Sequence, residues 1–257
     1  MIKILDCTTR DGGYCTNWNY SDEYIFALMK SLNKEGICFY EIGYRNYYDR
    51  DNKGNFYYCT PDLIKKFYEK KDRLQIGVMV DTKRYNKNDF KSAEDDCLDF
   101  VRIAAHPDRI SDTLLIAQNL YSKKYNVMLQ LMDISNLSKE HFTILSEWKY
   151  KNILKTIYLA DTYGSINGDD LTRIYNRIKN AGYKNISFHA HNKKGLALSN
   201  SIEAVKSGAY SIDITQDGAG INGGNLSYHE LNSLSVDINR SELTDKSKLS
   251  DFKRLFS

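Results

Sequence analysis

Eight short apolar runs alternate along this chain with longer amphipathic stretches, and that alternation constrains the fold more than any other feature. The runs are Lys3–Asp6, Phe39–Gly43, Gln75–Val80, Phe100–Ala104, Val127–Met132, Thr156–Ala160, Ser187–His191 and Ser211–Thr215. The helix-like stretches are Asp22–Leu32, Pro61–Lys70, Asp89–Asp96, Ile110–Tyr121, Lys139–Trp148, Gly168–Ala181, Leu196–Ser207 and Leu226–Leu234. Strand–helix alternation implies parallel pairing, because parallel neighbours need a crossover connection. Eight such units in 257 residues suit an α/β fold of the closed (β/α)8 TIM-barrel type, with the whole chain, 1–257, as a single domain. A doubly wound open sheet is the alternative. It would carry G-x-G-x-x-G after its first strand, and Asp11-Gly12-Gly13 is not that motif.

Composition narrows the class. A formal charge of +3 with no basic stripe argues against nucleic acid as partner. No apolar run is long enough to span a bilayer, and the N-terminus enters a strand pattern without a signal peptide, so no membrane association is expected. The five cysteines are odd in number and none lies in C-x-x-C, which points to reduced thiols and a cytoplasmic location. Barrels of this size often pair through their outer helices, so a homodimer is compatible with the sequence.

A barrel sets its functional groups where the strands end. The polar residues that are costly to bury fall there. Strand 1 ends in Thr8-Thr9-Arg10-Asp11-Gly12-Gly13. Strand 2 carries Glu41, and strand 4 carries Arg102 and runs to His106. Strand 6 ends in Asp161-Thr162-Tyr163-Gly164, strand 7 in His189-Ala190-His191, and strand 8 in the glycine-rich loop from Asp217 to Asn225.

His189 and His191 are two apart on a strand, so both imidazoles face the same way and form half of a divalent-metal site. Asp11 is the best third ligand, because strands 1 and 8 adjoin in a closed barrel and strand 7 is next to 8. Asn225 is a fourth oxygen donor. The alternative readings are a turn cap for Asp11 and an N-cap at Asn225 for a helix beginning near Leu226. Two imidazoles with oxygen ligands and no thiolate suit Mn²⁺ or Mg²⁺, with Co²⁺ or Zn²⁺ as further options. Arg10 beside a dication calls for an anion bridging the two, and a small 2-oxo acid does this with its ketone and carboxylate oxygens. Making or breaking the adjacent C–C bond passes through an enolate that cation and guanidinium both stabilise. Glu41 is placed to orient Arg10. An Arg–Glu pair filling the barrel is the bland alternative.

The motifs Leu5-Asp6-Cys7-Thr8-Thr9-Arg10-Asp11-Gly12-Gly13, Tyr40-Glu41-Ile42-Gly43-Tyr44, Ala160-Asp161-Thr162-Tyr163-Gly164, His189-Ala190-His191-Asn192 and Gly218-Ala219-Gly220-Ile221-Asn222-Gly223-Gly224-Asn225 together resemble the DRE-TIM metallolyases, the HMG-CoA-lyase-like superfamily. The resemblance runs in order over nearly the whole chain and is most like short 4-hydroxy-2-oxovalerate aldolase-like proteins. It implies an HMGL-like catalytic barrel, with Asp11, His189 and His191 as metal ligands, Asn225 as a further ligand, Arg10 as enolate stabiliser and Glu41 as its orienting acid.

Departures from the family pattern matter too. The stretch Gln216 to Asn225 lacks the catalytic cysteine of the hydroxymethylglutaryl lyases. Where the oxovalerate aldolases place a histidine base, three residues after the metal aspartate, this chain has Tyr14. The chain also stops soon after strand 8, so the dehydrogenase-docking region of those aldolases is expected to be missing. Tyr14 is the leading acid/base candidate, His106 the next, and Tyr163 a third. Arg102 and Thr162 are candidate substrate contacts, although Arg102 could equally fill the barrel against Glu41. His141 and His229 read as helix-surface histidines.

The expected activity is a metal-dependent aldolase, a carbon–carbon lyase that interconverts a 4-hydroxy-2-oxo acid with pyruvate and an aldehyde. A Claisen-type acyl-CoA-dependent synthase is the second reading. A non-catalytic barrel that binds a metabolite or partner is the third.

Overall fold

A computed structural model describes residues 2–46 and 52–233. Eight parallel strands close into a barrel in sequence order: β1 Lys3–Asp6, β2 Phe39–Tyr44, β3 Gln75–Asp81, β4 Phe100–Ala105, β5 Asn126–Leu131, β6 Leu154–Asp161, β7 Ile186–Ala190 and β8 Ser211–Ile214. Closure is made by β1 on β8, with Leu5 opposite Asp213 and Asp6 opposite Ile214. The expected (β/α)8 barrel is therefore the fold observed. The helices are α1 Thr8–Asp11, α2 Gly13–Thr16, α3 Asp22–Lys34, α4 Pro61–Tyr68, α5 Ile110–Ser122, α6 Lys139–Glu147, α7 Gly168–Asn180 and α8 Ala197–Lys206.

Side chains on a strand alternate between the barrel interior and the helix layer. Tyr40, Ile42, Val101, Ile103, Phe188, Ile212 and Ile214 face outward into one large core shared with the helices. Leu5, Cys7, Phe39, Phe100, Met128 and Tyr158 form a second, interior cluster, in which the Phe39 and Phe100 rings meet edge-on at 5.8 Å. Two residues further along their strands, Phe39 is succeeded by Glu41, Phe100 by Arg102, Ser187 by His189 and Ser211 by Asp213. The barrel interior thus sets its ionic groups one layer above the Phe39 and Phe100 rings and the Ser187 and Ser211 hydroxyls, which bond each other at 2.8 Å. Each fully buried Leu, Ile or Phe contributes about 1.5–3 kcal/mol, which supports the cost of the polar layer.

Helix starts follow local chemistry. Ser21 accepts from Tyr24 N, Thr60 precedes Pro61 at the first helical position, Ser138 and His141 form a capping box, and Asn167 accepts from Asp170 N. His141 thus serves a helix cap.

One expected helix is not formed. Asp89–Asp96 is replaced by a 3₁₀ turn, Lys87–Asp89, and a series of turns. Its side chains bond locally instead of leaving the backbone to a helix. Ser92 Oγ and Asp95 pair in both directions, and the buried Asp96 carboxylate accepts from Lys91 N, Arg45 Nη1 (2.6 Å) and the Tyr125 hydroxyl. Phe90, stacked on Tyr85, covers that side of the barrel. The helix expected from Leu226 begins at Tyr228, because Ser227 caps it by accepting from His229 N while Glu230 reaches back to Ser227 N. Its end at Leu234 lies outside the described residues. The N-cap reading of Asn225 is accordingly wrong.

Asp6, at the end of β1, is buried and accepts from Thr8 N, Thr8 Oγ1 and Gln216 Nε2, tying β1 to the loop after β8. Burial outweighs these bonds and raises its carboxyl to about 6. Protonated Asp6 therefore favours the fold. This contribution is complete below about pH 4, where the unfolded chain also holds the proton, and is lost as pH rises through about 6. Chemical denaturation of the wild type and Asp6→Asn should show the wild type losing on the order of 3 kcal/mol relative to the variant across that window. A difference independent of pH would contradict this assignment.

Candidate active site

At the C-terminal end of the barrel six side chains form a closed ionic ring. Asp11 Oδ1 accepts from Arg10 Nη1 at 2.6 Å, and Arg10 Nε donates to Glu41 Oε1 at 2.6 Å. Glu41 takes both Nε (2.6 Å) and Nη2 (2.5 Å) of Arg102. Arg102 Nη1 reaches Asp213 Oδ2 at 2.5 Å, and Asp213 Oδ2 lies 2.8 Å from His189 Nδ1. His189 Nε2 returns to Asp11 Oδ2 at 3.4 Å. All six side chains are no more than 4% exposed. Three carboxylates face two guanidiniums, so with His189 neutral the ring holds one uncompensated negative charge.

The chain around Asp11 explains its position. After β1 the backbone turns at once into α1, which brings Arg10 and Asp11 over the barrel mouth. Trp18 Nε1 donates to Arg10 O at 2.9 Å and fixes that turn. Its indole occupies the space beside Gly13, where a Cβ would lie 2.1 Å from Nε1. Trp18 itself has φ +56, a conformation that bulky side chains rarely adopt, and its amide bonds Gly13 O.

His191 follows β7 and pairs as an isolated bridge with Asn225. Its Nδ1 lies 3.0 Å from Ile221 O in the glycine loop. Both imidazoles thus have Nδ1 against an acceptor, so in its neutral form each ring presents Nε2 as the lone-pair nitrogen, the arrangement second partners impose on metal-binding histidines. Ligand-type atoms of Asp11, His189 and His191 all lie within 4.8 Å of one another.

Electrostatics divides the cluster. Burial would raise Asp11, but Arg10 and the imidazoles hold it well below the usual carboxylate range. Burial would lower His189, but hydrogen bonds to Asp11 and Asp213 raise it. Burial, with His189 beside it, lowers His191 to about 4, so at neutral pH its lone pair is free.

Three buried polar atoms at this site have no hydrogen-bond partner among the described residues: Asn225 Oδ1, Arg10 Nη2 and Asp213 Oδ1. Asn225 Nδ2 is held by Asp11 Oδ2 (2.7 Å) and Ala219 O (2.8 Å), which fixes the amide. The donor set of two imidazole nitrogens, a carboxylate oxygen and the unsatisfied amide oxygen fits a divalent cation. A second grouping, Cys7 with His189 and Asp213, fits less well. Burial pushes the Cys7 thiol far up, and it donates to Ile214 O at 3.3 Å.

Of the other expected residues, Arg102 lies within the ring and His106, Thr162 and Tyr14 lie apart from it. Arg102 is fully buried with its donors on Glu41 and Asp213, and its guanidinium lies 4.5 Å from the Tyr158 ring centroid. These contacts are those of the barrel-filling alternative, with Glu41 as partner. His106 Nε2 lies 3.2 Å from Asp81 Oδ2 between the ends of β3 and β4, with no hydrogen bond to the ring. Thr162 Oγ1 accepts from Asp133 N, and its carbonyl accepts from Asn222, so it serves two loops. Asp161 caps the turn by accepting from Ser165 and Ile166 amides. Tyr14 is half exposed, with its hydroxyl 3.3 Å from that of Tyr44. Tyr44 is buried 5.9 Å from the Arg10 guanidinium.

Sequence reasoning missed Asp213 and the Ile221 carbonyl. Asp213 had a signal, a lone acid at an inward position of the apolar strand Ser-Ile-Asp-Ile. The carbonyl had none, since backbone groups leave no mark in residue identity.

Comparison with known proteins agrees with this geometry. The sequence matches the HMGL-like family over residues 62–255. It is 24% identical to an oxaloacetate decarboxylase of Mycobacterium tuberculosis over 86% of this chain and 66% of that one. It is also 24% identical to a 4-hydroxy-2-oxovalerate aldolase of Geobacillus genomosp. 3 over 87% of this chain and 67% of that one. The chain thus spans about two thirds of the length of these relatives. The N-terminal domain of a candidate aldolase from Bacteroides vulgatus superposes with a TM-score of 0.82 at 26% identity, over 99% of this chain and 86% of that one. The chain belongs to the HMGL-like family, whose members are divalent-metal enzymes of the lyase, decarboxylase and synthase type.

Proposed function

We propose that this chain, 1–257 as one catalytic domain, is a divalent-metal-dependent aldolase that cleaves or forms the C–C bond next to a 2-oxo acid. The observation that carries this reading is the pair of unsatisfied atoms of opposite type, the acceptor Asn225 Oδ1 and the donor Arg10 Nη2, beside the Asp11–His189–His191 cluster. Asp11, His189, His191 and Asn225 would hold the cation, with Mn²⁺ or Mg²⁺ favoured by the absence of thiolate from the set. A cation held there would supply Lewis acidity to the ketone oxygen of a 2-oxo acid.

The chain supplies the rest. Glu41 holds Arg10 Nε, so Nη2 is preorganised to donate to the oxyanion as charge develops. Asp213 holds His189 Nδ1, fixing the ring with Nε2 toward Asp11. Tyr14, at the mouth, would as its phenolate take the C4 hydroxyl proton as C3–C4 breaks and hand it on to C3 of the enolate, giving pyruvate and restoring the phenolate. Tyr44 steadies it through the hydroxyl pair and, pushed far up by burial, stays protonated.

A second reading is decarboxylation of a 2-oxo diacid such as oxaloacetate. Carbon dioxide leaves without any hydroxyl proton to remove, so this reading needs no base. The anchoring of His106 on Asp81, away from the ring, favours it. Release of CO₂ from oxaloacetate without aldehyde release from 4-hydroxy-2-oxo acids would select it. Thiol release from acetyl-CoA with a 2-oxo acid would select a condensing synthase instead.

The primary test is exchange of pyruvate methyl protons with D₂O in the presence of Mn²⁺. Exchange is expected in the wild type and lost in Asp11→Asn, and none with any divalent metal would overturn the proposal. Arg10→Lys should lower turnover by about 10²–10³-fold while cation affinity is kept. Asp213→Asn should weaken Mn²⁺ binding about 10–100-fold in calorimetry. Gly220→Ala should weaken it too, because the new Cβ would lie 2.1 Å from Asn225 Nδ2 at φ +156, where any side chain is strained.

A further inference from the structure

On the wall of the barrel away from the cation site, one buried side chain keeps a polar atom that nothing in the described chain satisfies. Gln130 stands on β5, two residues beyond Met128 of the interior cluster, whereas Leu129 and Leu131 belong to the outer core. Alternation along the strand therefore turns Gln130 inward. It is 1% exposed. Its Nε2 donates to the Met132 thioether at 3.4 Å, and sulfur can only accept, so this contact sets which end of the amide is free. That end, Oε1, has no hydrogen-bond partner among the described residues. On β3, β4, β5 and β6 no other buried side chain is left with an unpaired nitrogen or oxygen.

Register gives its place relative to the site. In a closed ring of eight strands β5 is the one farthest from β1, whose end carries Arg10 and Asp11. Gln130 is paired with Ala104 on β4 and with Tyr158 on β6. Two residues beyond Tyr158, which is in the interior cluster, Ala160 faces the same way and is paired with His189 on β7. The inward side chain that separates Gln130 from the His189 imidazole at the top of β6 is thus a single methyl group.

A buried acceptor without a donor is costly, and where one persists at the active end of a barrel the missing donor can arrive with a ligand. The 2-oxo acid cannot supply it. Ionised, it carries ketone and carboxylate oxygens, which only accept, and so does its enolate. A simple aldehyde also offers nothing but its carbonyl oxygen. The donor has to be a hydroxyl elsewhere on the electrophile, and the short path past Ala160 keeps that hydroxyl close to the reacting carbonyl.

We infer that Gln130 selects the electrophile by accepting a hydrogen bond from such a hydroxyl, so that the carbonyl partner is a short hydroxyaldehyde, with glycolaldehyde the smallest, and not an alkanal. The inference rests on the aldolase reading and specifies its second substrate. The hydroxyl takes no part in the bonds made or broken. Gln130 is a specificity-determining residue, and its contribution enters through binding of the aldehyde.

The test compares pyruvate condensation with glycolaldehyde and with acetaldehyde, in the wild type and in Gln130→Met, which keeps the length of the side chain and removes the amide oxygen. In the wild type kcat/KM should favour glycolaldehyde by tenfold or more. The variant should lose that preference through the KM of glycolaldehyde. A wild-type preference for acetaldehyde, or a ratio untouched in Gln130→Met, overturns the inference while leaving the aldolase reading intact. A second measurement needs neither turnover nor the variant. With Mg²⁺ and oxalate filling the place of the oxo acid, saturation-transfer NMR compares glycolamide and acetamide, unreactive carbonyl compounds that differ by the hydroxyl. Glycolamide should bind the wild type and acetamide should not. Equal binding of the two, or binding of neither, overturns the inference. Selective binding of glycolamide in a protein that shows no pyruvate methyl exchange upholds hydroxyl recognition and overturns the aldolase reading instead.

Discussion

The Asp11–Arg10 ion pair is the contact on which the upper half of the molecule depends. Through Arg10 it joins β1 to Glu41 on β2, through Glu41 to Arg102 on β4, and through Arg102 and Asp213 to His189 on β7. Charges buried this deeply are tolerated only when each has a partner, and removing one member of such a pair leaves its neighbour uncompensated at a cost of about 3–5 kcal/mol. A ring is a robust answer to that constraint, because every group is held from two sides. It also makes the site rigid before substrate arrives, which is what electrostatic stabilisation of an enolate requires.

The ring is unequally satisfied. Arg102 is saturated by Glu41 and Asp213, whereas Arg10 keeps Nη2 unused. The two arginines look alike in sequence, each an inward cation near a strand end. Their difference comes from depth: Arg102 stands within β4, below the mouth, while Arg10 rides on the short helix α1 above it. This is why a substrate-binding role was as readable for one as for the other, and why only three-dimensional position separates them.

Much of the fold was legible because parallel strands buried on both faces leave continuous apolar runs, and all eight strands fall within a residue or two of the expected runs. The β3–β4 connection was not legible. Its amphipathic pattern suits a helix, but Ser92 and Asp96 spend their oxygens on local amides, and the Arg45 that holds Asp96 comes from 51 residues away. Of the site, Asp11, His189 and His191 were readable from strand-end chemistry. Asp213 was visible but unremarked, and the seating of Trp18 on Arg10 O depends on a left-handed conformation that residue identity disfavours.

The central claim is that side chains from the two ends of the described chain grip one cation at Asp11, His189, His191 and Asn225. Anomalous scattering at the manganese edge from crystals grown with Mn²⁺ tests it most directly. A single strong peak bonded to Asp11, both imidazole Nε2 atoms and Asn225 Oδ1 is the expected result. A peak among Cys7, His189 and Asp213, or no peak at the ring with metal in excess, would contradict it.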